Sequence, residues 1–177
     1  MFKYIDKLNH KRMDNNKIAI YPGTFDPVTL GHLDIITRSA KVFEGVIVAV
    51  AQDSKKITHF SFEERVDMLN YELKRLKLEN VKAKAFKGLL VDFIKTEGAR
   101  IIVRGLRALA DFEYEFQMSY INHKLSPDIE TVFLPATENG HFISSSFVNE
   151  IARLGGNLKG FVSEEIAAKI KERYSKK

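Results

Sequence analysis

The order of apolar and polar positions divides the chain into short buried strands and longer amphipathic helices. Four apolar residues, Ile18 to Tyr21, stop at Pro22-Gly23 and read as a buried strand. From Leu30 to Phe43, apolar side chains recur at Leu33, Ile36, Ala40 and Phe43, the period of a helix. Val46 to Ala51 is a second buried strand. Ser61 followed by Glu64 is a capping box, which starts a helix at Phe62 that runs to Leu76. Val81 to Ala85 reads as the third strand, and Leu89 to Glu97 as a short helix closed by Gly98. Ile101 to Val103 is the fourth strand, Asp111 to Lys124 a helix ended by Pro127, and Thr131 to Leu134 the fifth strand. Two further helices follow, Ser145 to Leu154 and Glu164 to Arg173. Gly155-Gly156 separates them, and Ser163 caps the second.

Strand–helix alternation of this kind predicts an α/β fold: a Rossmann-like, doubly wound, mostly parallel five-stranded sheet with helices on both faces. It is expected to form one domain over residues 17–177, with residues 1–16 a flexible basic extension. Ligands of such sheets bind beyond the carboxyl ends of the strands. The chemistry is therefore expected in the loops after strands one, two, four and five.

Composition narrows the function. The 177 residues are 45% hydrophobic and 29% charged, ordinary values for a folded domain. The absence of cysteine removes disulfides, thiolate catalysis and cysteine–zinc sites. The longest apolar run, Val46 to Ala51, is too short to cross a bilayer, and the first residues carry no signal-peptide core. A cytoplasmic protein without a membrane partner is the expectation. The net charge of +5 and a pI of about 9.3 point to an anionic partner. Part of that charge lies in the extension, at Lys3, Lys7, Lys11 and Arg12, and at Lys17 just beyond it. This segment reads as a solvated tail rather than a nucleic-acid arm.

The first loop, Y-P-G-T-F-D-P-V-T-L-G-H from Tyr21 to His32, is dense in turn formers. Thr24 and Thr29 supply hydroxyls. Gly31 and His32 fall at a helix N-terminus, where backbone N–H groups and the dipole favour anions. His32 adds a donor, or a positive charge when protonated. No G-x-x-x-x-G-K-[ST] or G-x-G-x-x-G follows this strand, so nucleotide would be held by another route. The second loop carries Lys55-Lys56, either a solvated pair or a phosphate ligand. In the fourth, V-R-G-L-R-A-L-A-D-F-E-Y-E from Val103 to Glu115, Arg104 and Arg107 flank Gly105 as a fork of phosphate donors. Asp111 and Glu113 suit a helix N-terminus, and Glu115 could reach a ribose. After the fifth strand, Ser144, Ser145 and Ser146 open a helix. One serine suffices as a cap, so the others are available to phosphate. No histidine pair has metal-site spacing, and no protein-built metal site is expected.

The motifs of the first and fourth loops, together with F-I-S-S-S from Phe142 to Ser146, resemble the bacterial phosphopantetheine adenylyltransferase family. This family lies within the nucleotidyltransferase superfamily marked by a T/H-x-G-H signature. The resemblance runs from Ile18 to Arg173. It implies transfer of AMP from ATP to 4′-phosphopantetheine, giving dephospho-coenzyme A and pyrophosphate. It also implies Mg²⁺ bound with ATP, a homohexamer, feedback by coenzyme A and no nucleic-acid partner. By position, it implies catalytic roles for His32, Lys55 (with Lys56 beside it) and Arg107. ATP would be held by Thr24, Phe25, His32, Gly105, Leu106, Arg107, Glu115 and the stretch Gly140, His141, Phe142, Ile143, Ser144, Ser145 and Ser146. The acceptor would meet Thr24, Lys55, Leu90 and Arg104. Gly140 and His141 depart from the family's usual aromatic-serine pair. The rival readings are adenylylation of nicotinamide mononucleotide and a non-catalytic RNA-binding protein.

Overall fold

The computed structural model describes residues 18–52, 58–107, 109–137 and 143–175. The predicted tail 1–16 lies outside them. Five strands form one sheet: β1 (Ile18–Gly23), β2 (Gly45–Ala51), β3 (Val81–Phe86), β4 (Ile101–Leu106) and β5 (Glu130–Pro135). Their order is β3-β2-β1-β4-β5, and every pairing is parallel. Six helices connect or follow them: α1 (Leu30–Val42), α2 (Phe62–Arg75), α3 (Leu90–Thr96), α4 (Leu109–Leu125), α5 (Ser145–Arg153) and α6 (Glu164–Ser175).

Both faces of the central strands are covered, as an unbroken apolar run requires. Ala19, Tyr21, Val46, Val48 and Val50 face the larger core, with Ile36 of α1, Leu69 of α2, Val148 of α5 and Ile166 of α6. Ile20, Ile47, Ala49 and Ile102 face the smaller one, with Val91 and Ile94 of α3. The doubly wound fold thus follows from strict alternation along β1 and β2.

Two strands run further than their sequence suggests. β1 continues through Pro22-Gly23, held by β2 at Ala49 and Val50. β4 continues through Arg104-Gly105-Leu106, held by β5 as far as Pro135. Ladder pairing on one side overrides the local turn signal. Between β1 and β4, pairing is confined to Ala19–Ile101 and Ile20–Ile102. Pro22 has no N–H with which to extend that ladder. The two middle strands therefore part at their carboxyl ends, at the point where the strand order reverses. A crevice opens there.

Candidate active site

The crevice is a cleft of about 650 Å³. It is walled by the loop after β1, the entry to α2, the β4–α4 junction and the start of α5. Close packing sets its floor. Phe25 is buried in a left-handed conformation (φ 51°), with its ring edge-on to Tyr21 and His32. A Cβ on Gly23 would stand 2.8 Å from that ring, and one on Gly105 would stand 2.9 Å from Cγ1 of Ile35. Only glycine lets α1 and the β1 loop come this close to the strand ends.

Thr29 caps α1 and forms a capping box with His32. The Thr29 backbone N–H donates to His32 Nδ1 (3.1 Å), and the His32 N–H donates to Thr29 Oγ1 (3.4 Å). Thr29 Oγ1 lies 3.0 Å from Nδ1. A backbone amide can only donate, so Nδ1 must accept and the ring proton sits on Nε2. Burial, then the charges of Arg107 and Arg104, push the pKa of His32 down to about 3. His32 is therefore a neutral imidazole with Nε2–H as its donor.

Arg104 and Glu115, both candidate ligands, are paired with one another. Arg104 donates through Nε to Glu115 Oε2 (2.7 Å), through Nη2 to Glu115 Oε1 (2.5 Å), and through Nη1 to the Pro22 carbonyl (2.5 Å). Burial opposes the charge of Arg104, but the Glu115 hydrogen bonds and charge outweigh it and raise its pKa. Arg107 shares the cleft and adds positive potential at His32. Of the three serines, Ser144 is the helix cap, accepting from the Phe147 N–H (3.2 Å), and its hydroxyl lies 3.0 Å from that of Ser146. Ser145 donates to the Pro27 carbonyl (2.8 Å). Their hydroxyls and the start of α5 border the same cleft, where the first N–H groups of a helix favour an anion.

Thr24, Phe25, His32, Arg104, Gly105, Arg107, Glu115, Ile143, Ser144, Ser145 and Ser146 thus converge on one cleft. Leu106 ends β4 and is not among the lining residues. Leu90 opens α3, packs toward the smaller core and is not among the lining residues either. Lys55, Lys56, Gly140, His141 and Phe142 lie outside the described residues.

Three residues of this region carry no signal in the motifs. The Asp26 carboxylate accepts the N–H groups of His59 (2.7 Å) and Phe60 (2.9 Å). Arg65, 2% exposed, donates to the carbonyls of Thr24 (2.7 Å) and Ala51 (3.1 Å), tying the β1 loop to the end of β2. Asn149 donates to the Asp26 carbonyl (2.9 Å).

A parallel sheet split at its switch point, with a T-L-G-H helix start, two arginines and three serines in one cleft, has the form of a nucleotidyltransferase site. The cytidylyltransferase-like family model matches residues 20–151. The chain belongs to the phosphopantetheine adenylyltransferase family. A relative of that name from Wolbachia sp. subsp. Brugia malayi (strain TRS) is 55% identical over 149 residues, 84% of this chain and 89% of the relative. Among solved structures, the Plasmodium falciparum nicotinic acid mononucleotide adenylyltransferase complexed with NaAD shares the fold. Its TM-score is 0.67 at 15% identity, covering 91% of this chain and 95% of that one. So does a bifunctional NMN adenylyltransferase/ADP ribose pyrophosphatase complexed with AMP and a Mn ion from Francisella tularensis. Its TM-score is 0.63 at 18% identity, covering 84% of this chain and 45% of that one.

Proposed function

We propose that the protein transfers the adenylyl group of ATP to the phosphate of 4′-phosphopantetheine, giving dephospho-coenzyme A and pyrophosphate. The observation that carries this reading is His32. It is a neutral donor of fixed tautomer at a helix N-terminus, in the same cleft as Arg107 and the α5 serines. The acceptor phosphate is already an anion and needs no protein nucleophile. It attacks the α-phosphorus in line, and pyrophosphate leaves. The protein's task is to position two polyanions and to stabilise charge that grows on the α-phosphoryl oxygens and the leaving group. His32 Nε2–H and Arg107 suit the α-phosphoryl group, with Lys55 from the loop after β2. Thr24, Gly105, Ile143 and the serines suit the nucleotide.

Mg²⁺ enters as part of the ATP substrate. Two carboxylates line the cleft among the described residues. Asp26 is engaged by two backbone N–H groups and Glu115 by Arg104. In this proposal the cation is carried by the triphosphate and water rather than by a protein cage. No helix among the described residues is long and apolar enough to cross a membrane. A homohexamer with coenzyme A as feedback inhibitor belongs to the same proposal. Self-association is supported by α4, which leaves Phe112, Phe116, Tyr120, Ile121 and Leu125 exposed beside Val132 of β5.

The test is pyrophosphate release from ATP and Mg²⁺ with 4′-phosphopantetheine, with nicotinamide mononucleotide as control acceptor. Release with phosphopantetheine alone is expected. Release with the control alone would overturn the acceptor, and silence with both would overturn the transferase reading.

A further inference from the structure

Glu115 is the one buried residue between Phe112 and Gln117 on α4. Both of its carboxylate oxygens are bonded to Arg104 of β4, at 2.7 Å from Nε and 2.5 Å from Nη2. Arg104 Nη1 is bonded in turn to the Pro22 carbonyl of β1, at 2.5 Å. The guanidinium is thus pinned by a helix and by a neighbouring strand. A guanidinium carries five N–H groups. These bonds take three of them and leave one on each terminal nitrogen for a ligand. Both residues line the cleft, but the Arg104 side chain is 28% exposed and that of Glu115 is 11% exposed. Of the two, the arginine offers the cleft more surface.

An anchor for α4 needs no ion pair. Burying a carboxylate and a guanidinium costs desolvation that offsets much of their attraction, and apolar packing holds a helix as well. What the pair adds is direction. Two parallel N–H···O bonds fix the plane of the guanidinium. A freely rotating arginine loses side-chain entropy when it takes a phosphate, and one held beforehand loses little. The carboxylate alone would repel a polyanion, and its pairing with Arg104 neutralises that charge.

Building on the adenylyl-transfer reading, in which Arg104 meets the acceptor phosphate, we propose that Glu115 is a positioning residue that acts on the acceptor through Arg104 and is not a ligand of the nucleotide. Glu115→Gln keeps one acceptor oxygen and sets an NH₂ against the second Arg104 donor, so the fork is broken. Arg104→Ala removes the group through which Glu115 would act.

The experiment is calorimetric titration of the native chain, Glu115→Gln, Arg104→Ala and the double variant with 4′-phosphopantetheine and, separately, with a non-hydrolysable ATP analogue. Each single variant is expected to bind phosphopantetheine about tenfold or more weaker, and the ATP analogue within about twofold of native. The double variant is expected to bind phosphopantetheine no more weakly than Arg104→Ala, because two residues that act as one unit do not add. Weakened binding of the ATP analogue alone in Glu115→Gln would make Glu115 a nucleotide ligand and overturn the proposal. Equal weakening of both ligands would reduce the pair to a structural anchor, and losses that multiply in the double variant would separate the two residues; either overturns it too. Should Glu115→Gln not fold, Glu115→Asp, which keeps the charge but shortens the reach, decides by the same criteria. These outcomes overturn this inference alone. No binding of phosphopantetheine by the native chain overturns the acceptor reading and this inference with it.

Discussion

His32 makes two demands on the molecule, and they can be measured separately. With the proton held on Nε2, the side chain can donate to charge that develops on the α-phosphate. Losing one donor aimed at transition-state charge costs about 10²–10³ in kcat, or about 3–4 kcal/mol. His32→Ala should show this loss with a smaller change in KM. Stability moves by a different route. The pKa falls from 6.5 to about 3, mainly through burial. The native state thus resists a proton that the unfolded chain accepts below about pH 6.5. The unfolded state then binds more protons, so stability is lost as pH falls from about 6.5 toward about 3. Over the two pH units from about 6.5 to about 4.5 the full shift corresponds to about 2.7 kcal/mol. The ring keeps some solvent contact, so the realised loss should be about 1–2 kcal/mol. His32→Gln isolates this effect, because glutamine at the third helical position can still accept the Thr29 N–H in a capping box without titrating. Urea melts of both proteins across this range are the assay. The native curve should fall relative to the variant, and kcat/KM should carry no His32 inflection near pH 6.5. Parallel stability curves would refute the buried, neutral histidine and the tautomer argument with it.

Three further outcomes follow from the same geometry. Glu115→Gln leaves the Arg104 guanidinium without its charge partner beside Pro22, and urea melts should show roughly 2 kcal/mol of lost stability. Gly105→Ala drives a methyl into Ile35, 2.9 Å away, and should cost about 1–3 kcal/mol. The double variant with Ile35→Ala should recover part of that loss, so a strictly additive cycle would count against the clash. Phe116→Glu places a charge in the exposed α4 face and should lower the molar mass seen by light scattering without changing the circular dichroism of the fold.

Much of this architecture could be read from pattern. The run Val46 to Ala51 is apolar throughout because β2 is covered on both faces, and Ser61 with Glu64 forms the capping box that spacing predicts. Thr24, His32, Arg104, Arg107 and the serines could be picked out because residue type and loop position together point to phosphate. The strand ends could not. Whether Pro22-Gly23 turns or continues depends on β2, and whether Arg104 leaves the sheet depends on β5. Nor could the Arg104–Glu115 pair, since the sequence presents each as a separate candidate ligand. Asp26, Arg65 and Asn149 were least visible. Aspartate before proline is an ordinary turn residue, and an arginine or asparagine on an amphipathic helix is ordinary surface. Their meaning comes from partners 33, 41 and 123 residues distant, which only the folded topology brings near.

The parting of β1 from β4 at Pro22 has a consequence for what the cleft can hold. In a strand, the N–H and C=O of one residue point to the same side. The Pro22 carbonyl is taken by Arg104 of β4, so its nitrogen faces β4 as well. Any other residue would place an N–H there, beyond the last β1–β4 pair at Ile20–Ile102. In the proposed anion-binding crevice that hydrogen would be a stray donor, free to draw a phosphate or a water toward the wrong strand. The imino acid erases it. On the proposed function, the register of a polyphosphate is then left to the donors of the surrounding loops and helices, and the sheet opens at its centre without leaving a hydrogen-bonding debt.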